Sequence, residues 1–471
     1  MSARSARQGR RQGGARPPLR ETFRALHNPN YRLFWFGQLV SLIGTWMQST
    51  ALAWLVLKIY NSPLALGTMA TIQFTPVLIF VLFGGVIADR LPKQRLLIAT
   101  QSTMLVQALV LAVLTSAHLI NLPLIYLLAA VQGSANALDN PARQALVAEL
   151  VGPEDLPNAV ALNSTLFNTS RLIGPALGGV AIATIGIADC FYLNAASFLA
   201  VIGSLLLMKP ERFFSLARPP RGKMLKQVGE GLRYALTTPD IALIVLLMAV
   251  LGTFGYNFTV FLPLIAKYTL HMNAVGYGVL TSSVGVGSLA AALALAYSGA
   301  ATRRTLLTGS AGFSVLLLGV ALSRWWQATV PLLVALGTFS IVFTTTANSR
   351  LQLITPPQLR GRVMSIYTLL FLGSTPIGSL VVGTLADRQG VQPAVAEMAG
   401  LCLLGVVAGL FYLRRTRGRL LAGGGSGRSG AQPSETFNSA TGSSESELLT
   451  NEAQNKDRGE RAEAGPRSTR V

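Results

Sequence analysis

Long apolar segments, separated by short polar ones, constrain this chain more than any other feature of its sequence. They run over about residues 31–58, 64–88, 96–118, 122–139, 160–186, 190–208, 240–267, 274–298, 305–323, 328–348, 363–386 and 392–413. A helix needs about 20 apolar residues to cross the hydrocarbon core of a bilayer. Because only helices and closed barrels satisfy their backbone inside lipid, runs of this length predict an all-α polytopic membrane protein with twelve transmembrane helices.

The charge pattern supports a bilayer rather than nucleic acid as the partner. Only 12% of the residues are charged, and the net charge is +20. The charges lie between the apolar segments and form no aromatic-interleaved basic surface. With the N-terminus inside, the outer loops hold few basic residues, namely Lys58, Lys267, Arg324 and Arg388. Since basic residues collect on the cytoplasmic side, we expect an inner-membrane protein with both termini in the cytoplasm.

The predicted spans divide into two similar halves. We expect a basic arm (1–30), a six-helix bundle (31–208), a cytoplasmic linker (209–239), a second six-helix bundle (240–413) and a disordered tail (414–471). In each half an Arg and a Pro-containing turn precede a fifth span with an internal Pro, at Pro175 and Pro376. Parallel six-helix repeats of this kind bind substrate near the bilayer midplane, between the two bundles.

A compact charged motif separates the second and third spans. Residues 84–97 read "GGVIADRLPKQRLL" and contain Gly85, Asp89, Arg90, Lys93 and Arg95. Glycines allow helices to approach closely, and the bases favour a cytoplasmic position. A plain basic anchor would explain the bases but not the Gly-x-x-x-Asp-Arg spacing.

This motif resembles the signature loop of the major facilitator superfamily. The stretches "NPNYRLFWFGQLVSLIGTWMQ" (28–48), "NPARQALVAELV" (140–151), "SRLIGPALGG" (170–179) and "GRVMSIY" (361–367) are similar to its bacterial drug, macrolide and siderophore efflux branch. The resemblance covers about residues 24–415. It implies a secondary transporter that exports a hydrophobic or amphipathic small molecule by alternating access, with proton antiport.

The resemblance also implies a conformational latch. In the family the loop Asp and Arg hold the cytoplasmic side shut, and here the eleventh span begins near Gly361. The positive N-terminal end of that helix would attract Asp89. The same spacing recurs at "GTLADR" (383–388), on the opposite side and without a basic cluster. Both a chance recurrence and a functional role stay open for this second copy.

Few charges fall inside the predicted spans. Arg171 lies about ten residues into the fifth span, and a buried arginine faces a partner or an aqueous cavity. Asp139 and Glu149 are the candidate partners, and either structural pairing or a role in transport would explain them. Exporters of this superfamily often carry an Arg three residues before a Gln-Gly pair, but here Ala129 stands at that place. The proton carrier is therefore unassigned, Asp139 is the one candidate, and absence of coupling stays open.

Two further groups of residues are candidates for the transport path. "GPALGG" resembles the antiporter motif, in which a proline bends the helix and glycines permit close packing; a packing kink alone is the alternative. Its residues are Gly174, Pro175, Gly178 and Gly179. An apolar cavity with a few polar groups should lie between the bundles. Candidates to line it, each of which could face another helix instead, are Gln38, Trp46, Gln48, Asn136, Tyr256, Asn257 and Phe258.

Other functions fit the sequence less well. A polytopic enzyme needs acids, bases or metal ligands gathered at one depth, whereas this chain has three scattered histidines and two distant cysteines. We therefore expect no enzyme, no metal and no cofactor, and a monomer that carries a small molecule. An importer and a lipid or lysolipid mover of the same fold stay open as alternatives. A cavity without acids suits neutral, amphipathic or anionic substrates better than polycations.

Overall fold

Helices make up the regular structure of the chain throughout the described residues. The computed structural model describes residues 23–80, 91–214, 224–298 and 301–423. A 3₁₀ helix (Arg24–His27) precedes the first α-helix, and a second 3₁₀ helix (Pro210–Arg212) follows the fifth. The α-helices are α1 (Pro29–Tyr60), α2 (Pro63–Phe80), α3 (Lys93–Ser116), α4 (Leu122–Thr184), α5 (Ile187–Leu206), α6 (Met224–Thr237), α7 (Pro239–Phe254), α8 (Phe258–Leu264), α9 (Ala274–Ser298), α10 (Arg303–Leu322), α11 (Trp326–Ile354), α12 (Pro357–Leu372), α13 (Thr375–Gln389) and α14 (Val391–Gly423).

Asparagine side chains and backbone conformation set several helix boundaries. The Asn28 side chain accepts hydrogen bonds from the backbone N–H groups of Asn30 (3.0 Å) and Tyr31 (3.2 Å) at the start of α1. Asn121 caps α4 in the same way. These side chains satisfy amides that have no partner within the helix. Asn61 ends α1 in the left-handed conformation, with φ 47°.

The predicted fourth and fifth spans belong to one interrupted helix, α4. Its 63 residues are helical except at Gly152, whose φ is 73°. Glycine adopts this conformation readily, and the Pro153 that follows has no N–H to donate. The ring of Phe214 packs over Gly152, and the Phe214 N–H donates to the Glu149 carbonyl (2.7 Å). The segment that joins the two spans is therefore largely helical.

Two predicted spans are each built from two helices. The seventh consists of α7 and α8, with the break at 255–257, and α8 continues as one π-helical turn (Ile265–Thr269). The eleventh consists of α12 and α13, with the break at 373–374. In the described part of the chain, nine helical stretches are long and apolar enough to cross a membrane. The two parts of α4 and the shorter α2 carry the other three predicted spans.

Helix packing follows the two halves of the sequence. In the first half α1 packs on α4 and α5, and α3 packs on α5; in the second half α11 packs on α9 and α10. The halves meet where α4 contacts α9 and where α2 contacts α13. These helices belong to one compact unit, Met1–Leu413; a second unit comprises Arg414–Val471.

Candidate functional site: a chamber between the two halves

A cavity of about 720 Å³ lies between α4 of the first half and α11 and α12 of the second. We call it the chamber. Its polar wall consists of Gln144, Asn163, Ser164, Asn168, Arg171, Thr344, Thr345, Asn348, Ser349 and Tyr367. Its apolar wall includes Phe167 and Phe371, and no Asp or Glu among the described residues lines it. Gln144 and Ser164 are exposed, and within the described residues the chamber is open toward the end of the molecule near Gly152, which we call the turn end.

Helical spacing brings the polar wall together. Ser164, Asn168 and Arg171 lie three or four residues apart in α4, so they share one face of the helix. On α11, Thr344 and Asn348 are likewise four apart. In the sequence, these residues are marked by polar side chains at helical spacing inside an apolar span. Of the residues that line the chamber, sequence analysis singled out only Arg171. The polar residues of α11 belong to this wall only because α11 packs opposite α4.

Arg171 is held between two aromatic rings. Its guanidinium carbon lies 5.9 Å from the ring centre of Trp46 and 5.6 Å from that of Phe258. These distances suit cation–π attraction. Two of the residues predicted to line the cavity therefore meet at Arg171, although one comes from each half of the chain.

The acids proposed as partners of Arg171 are paired elsewhere, which corrects that expectation. Asp139 is fully buried and binds Arg143, one helical turn further along α4. Its other carboxylate oxygen accepts hydrogen bonds from the Thr100 hydroxyl (2.9 Å) and the Gln101 amide (2.8 Å). Because a neighbouring turn and α3 already supply its partners, the charge of Asp139 is satisfied within the first half.

Glu149 has a partner in the signature loop. The Lys93 ammonium lies 3.1 Å from its carboxylate, and both side chains are largely buried. Lys93 begins α3, and Arg95 is exposed in the first turn. Gly85, Asp89 and Arg90 lie outside the described residues, and the Asp89 latch stays a prediction.

Three more of the predicted cavity residues take part in helix packing. Gln48 is fully buried and bonds to Gln107 (3.2 Å) and Asn194 (2.8 Å) within the first half. Asn257 is also fully buried; it donates to the Thr253 carbonyl (2.7 Å) and accepts from Ser379 (3.2 Å).

Tyr256 donates to the Ser340 carbonyl (2.9 Å) and stacks on Phe313. Gln38 is buried in α1 and Asn136 is half-buried in α4; neither is among the residues that line the chamber. Sequence reasoning did not separate the polar residues that face the chamber from those that face another helix.

The glycines of the fifth span pack against two other helices. Added methyl groups on Gly174 and Gly178 would meet Trp46 and Met47 of α1. A methyl group on Gly179 would lie 2.7 Å from the carbonyl oxygen of Ala274, across the boundary between the halves. The backbone at Pro175 keeps its helical dihedral angles, and the bend predicted there stays a prediction. Close packing of α4 on α1 and α9 is what these glycines provide.

The halves also meet at the end opposite the turn end, which we call the far end. Asp387, in the last turn of α13, accepts hydrogen bonds from the Ser62 hydroxyl (3.1 Å) and from the Leu64 backbone N–H (3.4 Å) at the start of α2. The second Gly-x-x-x-Asp-Arg copy therefore places its carboxylate against the positive end of a helix in the other half. The same relation is predicted for Asp89 at the turn end.

Other contacts reinforce the far end. The Lys267 ammonium donates to the Leu57 carbonyl oxygen, and the Tyr268 hydroxyl donates to Asn61 (3.0 Å). A methyl group on Gly67 would lie 2.6 Å from the carbonyl oxygen of Ser379, so α2 and α13 are nearly in backbone contact. These contacts close the chamber at the far end, whereas the described residues leave it open at the turn end.

Comparison with solved structures identifies the fold. A bacterial homologue of the human lysosomal transporter Spinster superposes with a TM-score of 0.63 at 14% identity, over 83% of this chain and 98% of that one. A POT family transporter superposes with a TM-score of 0.67 at 10% identity, over 82% of this chain and 96% of the other. At such identities the likeness concerns the fold alone, which is the twelve-helix fold of the major facilitator superfamily. The expected fold class is therefore confirmed.

Curated relatives align over nearly their whole length. The staphyloferrin A transporter of Staphylococcus aureus is 26% identical over 82% of this chain and 96% of its own. The multidrug efflux pump Tap of Mycolicibacterium fortuitum is 28% identical over 82% and 96%. The enterobactin exporter of Citrobacter koseri is 27% identical over 83% and 94%. The model of the transmembrane secretion effector family matches residues 20–419, so this multi-pass membrane protein belongs to that transporter family of the major facilitator superfamily.

Proposed function

We propose that this protein exports an amphipathic small molecule by alternating access, with the chamber as its binding site. One observation carries the proposal: in the described part of the chain, a polar and aromatic chamber lies between the halves, open at the turn end and closed at the far end. Substrate sites in this fold lie between the two halves, near the midplane. A volume of about 720 Å³ falls within the range of small-molecule pockets.

The turn end is assigned to the cytoplasm. It carries basic residues on several helices, among them Lys93, Arg143, Arg303 and Arg350. Basic residues collect on the cytoplasmic side of membrane proteins, and the same rule supports our proposal that both termini lie inside. In this orientation the chamber loads from the cytoplasm, as export requires.

Release on the outside requires the far-end contacts to break. Asp387 would leave the start of α2, and Lys267 would leave the Leu57 carbonyl. A closed turn end must then be stabilised in their place, because a carrier shifts between states only by the difference in contact energy. We propose that Asp89 supplies such a contact at the start of α12.

The relatives favour export over import. The names of three of them describe a siderophore transporter, a multidrug efflux pump and a siderophore exporter. A drug-sized molecule with both polar and apolar parts suits a wall of amides, hydroxyls and aromatic rings. Proton exchange is part of the proposal, and its carrier is unassigned because Asp139 is engaged in a buried ion pair.

Accumulation in an efflux-deficient bacterial host tests this function. Cells that express the protein should retain less of at least one dye, macrolide or siderophore than cells with the empty vector. Addition of a proton uncoupler should abolish the difference if protons drive export. Asn168→Ala, in the chamber wall, should alter the range of exported compounds, whereas Gln389→Ala, exposed at the far end, should not.

Two results would count against the proposal. Equal accumulation of every compound, at matched membrane abundance, would contradict export. Higher accumulation in expressing cells would favour the importer of the same fold. Export that persists in the presence of the uncoupler would contradict proton antiport but not export itself.

A further inference from the structure

The Arg171 guanidinium has no acceptor for its hydrogen bonds in the described part of the chain. Two aromatic rings flank it, but neither a hydrogen bond nor an ion pair engages it there. A guanidinium stays charged at any physiological pH and carries five N–H donors. The ring faces attract its charge but do not accept the N–H groups that lie in its plane. Because Arg171 lines the chamber, these donors are available to whatever the chamber holds.

An unpaired cation at this depth is costly. A charged side chain at the centre of a transmembrane helix is unfavourable to insert into a bilayer. Asp139 and Glu149, the acids predicted to pair with Arg171, bind Arg143 and Lys93 instead. Glu154 and Asp155, which are nearer in sequence, bind Arg24. No ion pair among the residues that the structure describes therefore explains why this span carries an arginine.

The remaining wall is selective by charge. The other polar groups that face the chamber are neutral amides and hydroxyls, and no described carboxylate lines it. A cationic ligand would be repelled by Arg171 without compensation, whereas an anion would be attracted. The planar fork of a guanidinium matches a carboxylate through two parallel N–H···O bonds.

On the basis of the proposed export function, we infer that the transported molecule carries an anionic group that binds Arg171. The group is a carboxylate or a similarly shaped oxyanion, and the apolar part of the molecule lies against Phe167 and Phe371 of the chamber wall. The phosphate of a lipid headgroup offers the same chemistry, and the experiment below separates the two sources. Trp46 and Phe258 keep the guanidinium in place while the anion enters and leaves.

A pair of probes that share one aromatic body and differ in the head group, charged in one and neutral in the other, tests the inference. The carboxylate 1-pyrenebutyrate and its neutral amide, 1-pyrenebutyramide, are titrated into the purified full-length protein in phosphatidylcholine nanodiscs, with empty discs as the blank. Fluorescence anisotropy should show that the wild type binds the carboxylate at least about tenfold more tightly, since one charge-assisted hydrogen bond is worth about 1.5–3 kcal/mol. Arg171→Gln should abolish this preference and Arg171→Lys should keep part of it. Arg324→Gln, exposed at the far end, should leave it unchanged.

Equal affinities in the wild type, or a preference that survives Arg171→Gln, would overturn the inference. The wild-type comparison alone decides the question if the variant does not fold. In discs that also contain phosphatidylglycerol the preference should persist, and its loss would identify a lipid headgroup as the occupant and overturn the assignment to substrate. The accumulation assay is independent: export without any charge preference overturns this inference alone, and a preference without export overturns the proposed function.

Discussion

The buried Asp139–Arg143 pair should contribute more to stability than any exposed ion pair of this protein. Asp139→Asn keeps the size of the side chain and removes its charge. The Arg143 side chain, 19% exposed, then loses its counter-charge, while Thr100 and Gln101 keep a neutral oxygen as acceptor. Removal of one partner of a buried pair costs about 3–5 kcal/mol. Since Arg143 retains some contact with solvent, we expect a loss of about 2–4 kcal/mol in the free energy of unfolding.

Reversible denaturation of the purified protein in mixed micelles measures this loss. Asp189→Asn is the matched control, because Asp189 lies in the first turn of α5 and is exposed. Its replacement should cost at most about 1 kcal/mol, the worth of a charge at a helix N-terminus. The double variant Asp139→Asn with Arg143→Gln leaves no unpaired charge and should recover most of the stability that the single variant loses.

A single-variant loss below about 1 kcal/mol, or a double variant no more stable than Asp139→Asn, would refute the ion pair as the source of the effect. A transport assay distinguishes a structural role of the Asp139–Arg143 pair from a role in proton coupling. If the pair is structural, the folded double variant should still export the compounds that the wild type exports. A folded double variant that exports nothing would instead assign Asp139 to the proton path.

Three further changes address the contacts between the halves. Asp387→Asn removes the charge from the start of α2 and should favour opening of the far end by about two- to fivefold, because an exposed charge of this kind is worth about 0.5–1 kcal/mol. Distances between spin labels at Ile59 and Gln389 measure this shift. An unchanged distance distribution would show that the Asp387 contact does not hold the far end closed. Gly67→Ala should force α2 and α13 apart, since its methyl group would lie 2.6 Å from the Ser379 carbonyl oxygen, and a cysteine introduced at Gln389 should then react faster with a thiol reagent. Gly203→Ala, where the added methyl group meets nothing, is the control, and equal effects of the two changes would contradict close packing as the cause. Lys93→Gln and Glu149→Gln should each lower the free energy of unfolding, and a double-mutant cycle should give a coupling energy of about 1 kcal/mol between them. Additive losses of stability would show that the 3.1 Å ion pair contributes nothing.

Local sequence features predicted some residues of the candidate site. The Gly-x-x-x-Asp-Arg spacing at 383–388 was visible, and its carboxylate does meet a helix start, yet the sequence could not exclude a chance recurrence. Its partner Ser62 lies 325 positions away, and no local pattern records such a contact. Arg171 stood out because a charge inside an apolar run is rare, but its neighbours Trp46 and Phe258 come from different halves of the chain.

The order of apolar and polar segments determined the fold by itself. Lipid accepts only a backbone that satisfies its own hydrogen bonds, so each run of about 20 apolar residues had to become a helix, and the repeat of six allowed two related halves. Tertiary packing decided which polar side chains face the chamber and which face a neighbouring helix. Gln48 and Asn168 are both polar residues inside apolar spans. Gln48 accepts a hydrogen bond from Asn194 of α5, whereas Asn168 lines the chamber. Periodicity defines the faces of a helix, and only the positions of the other helices determine what each face meets.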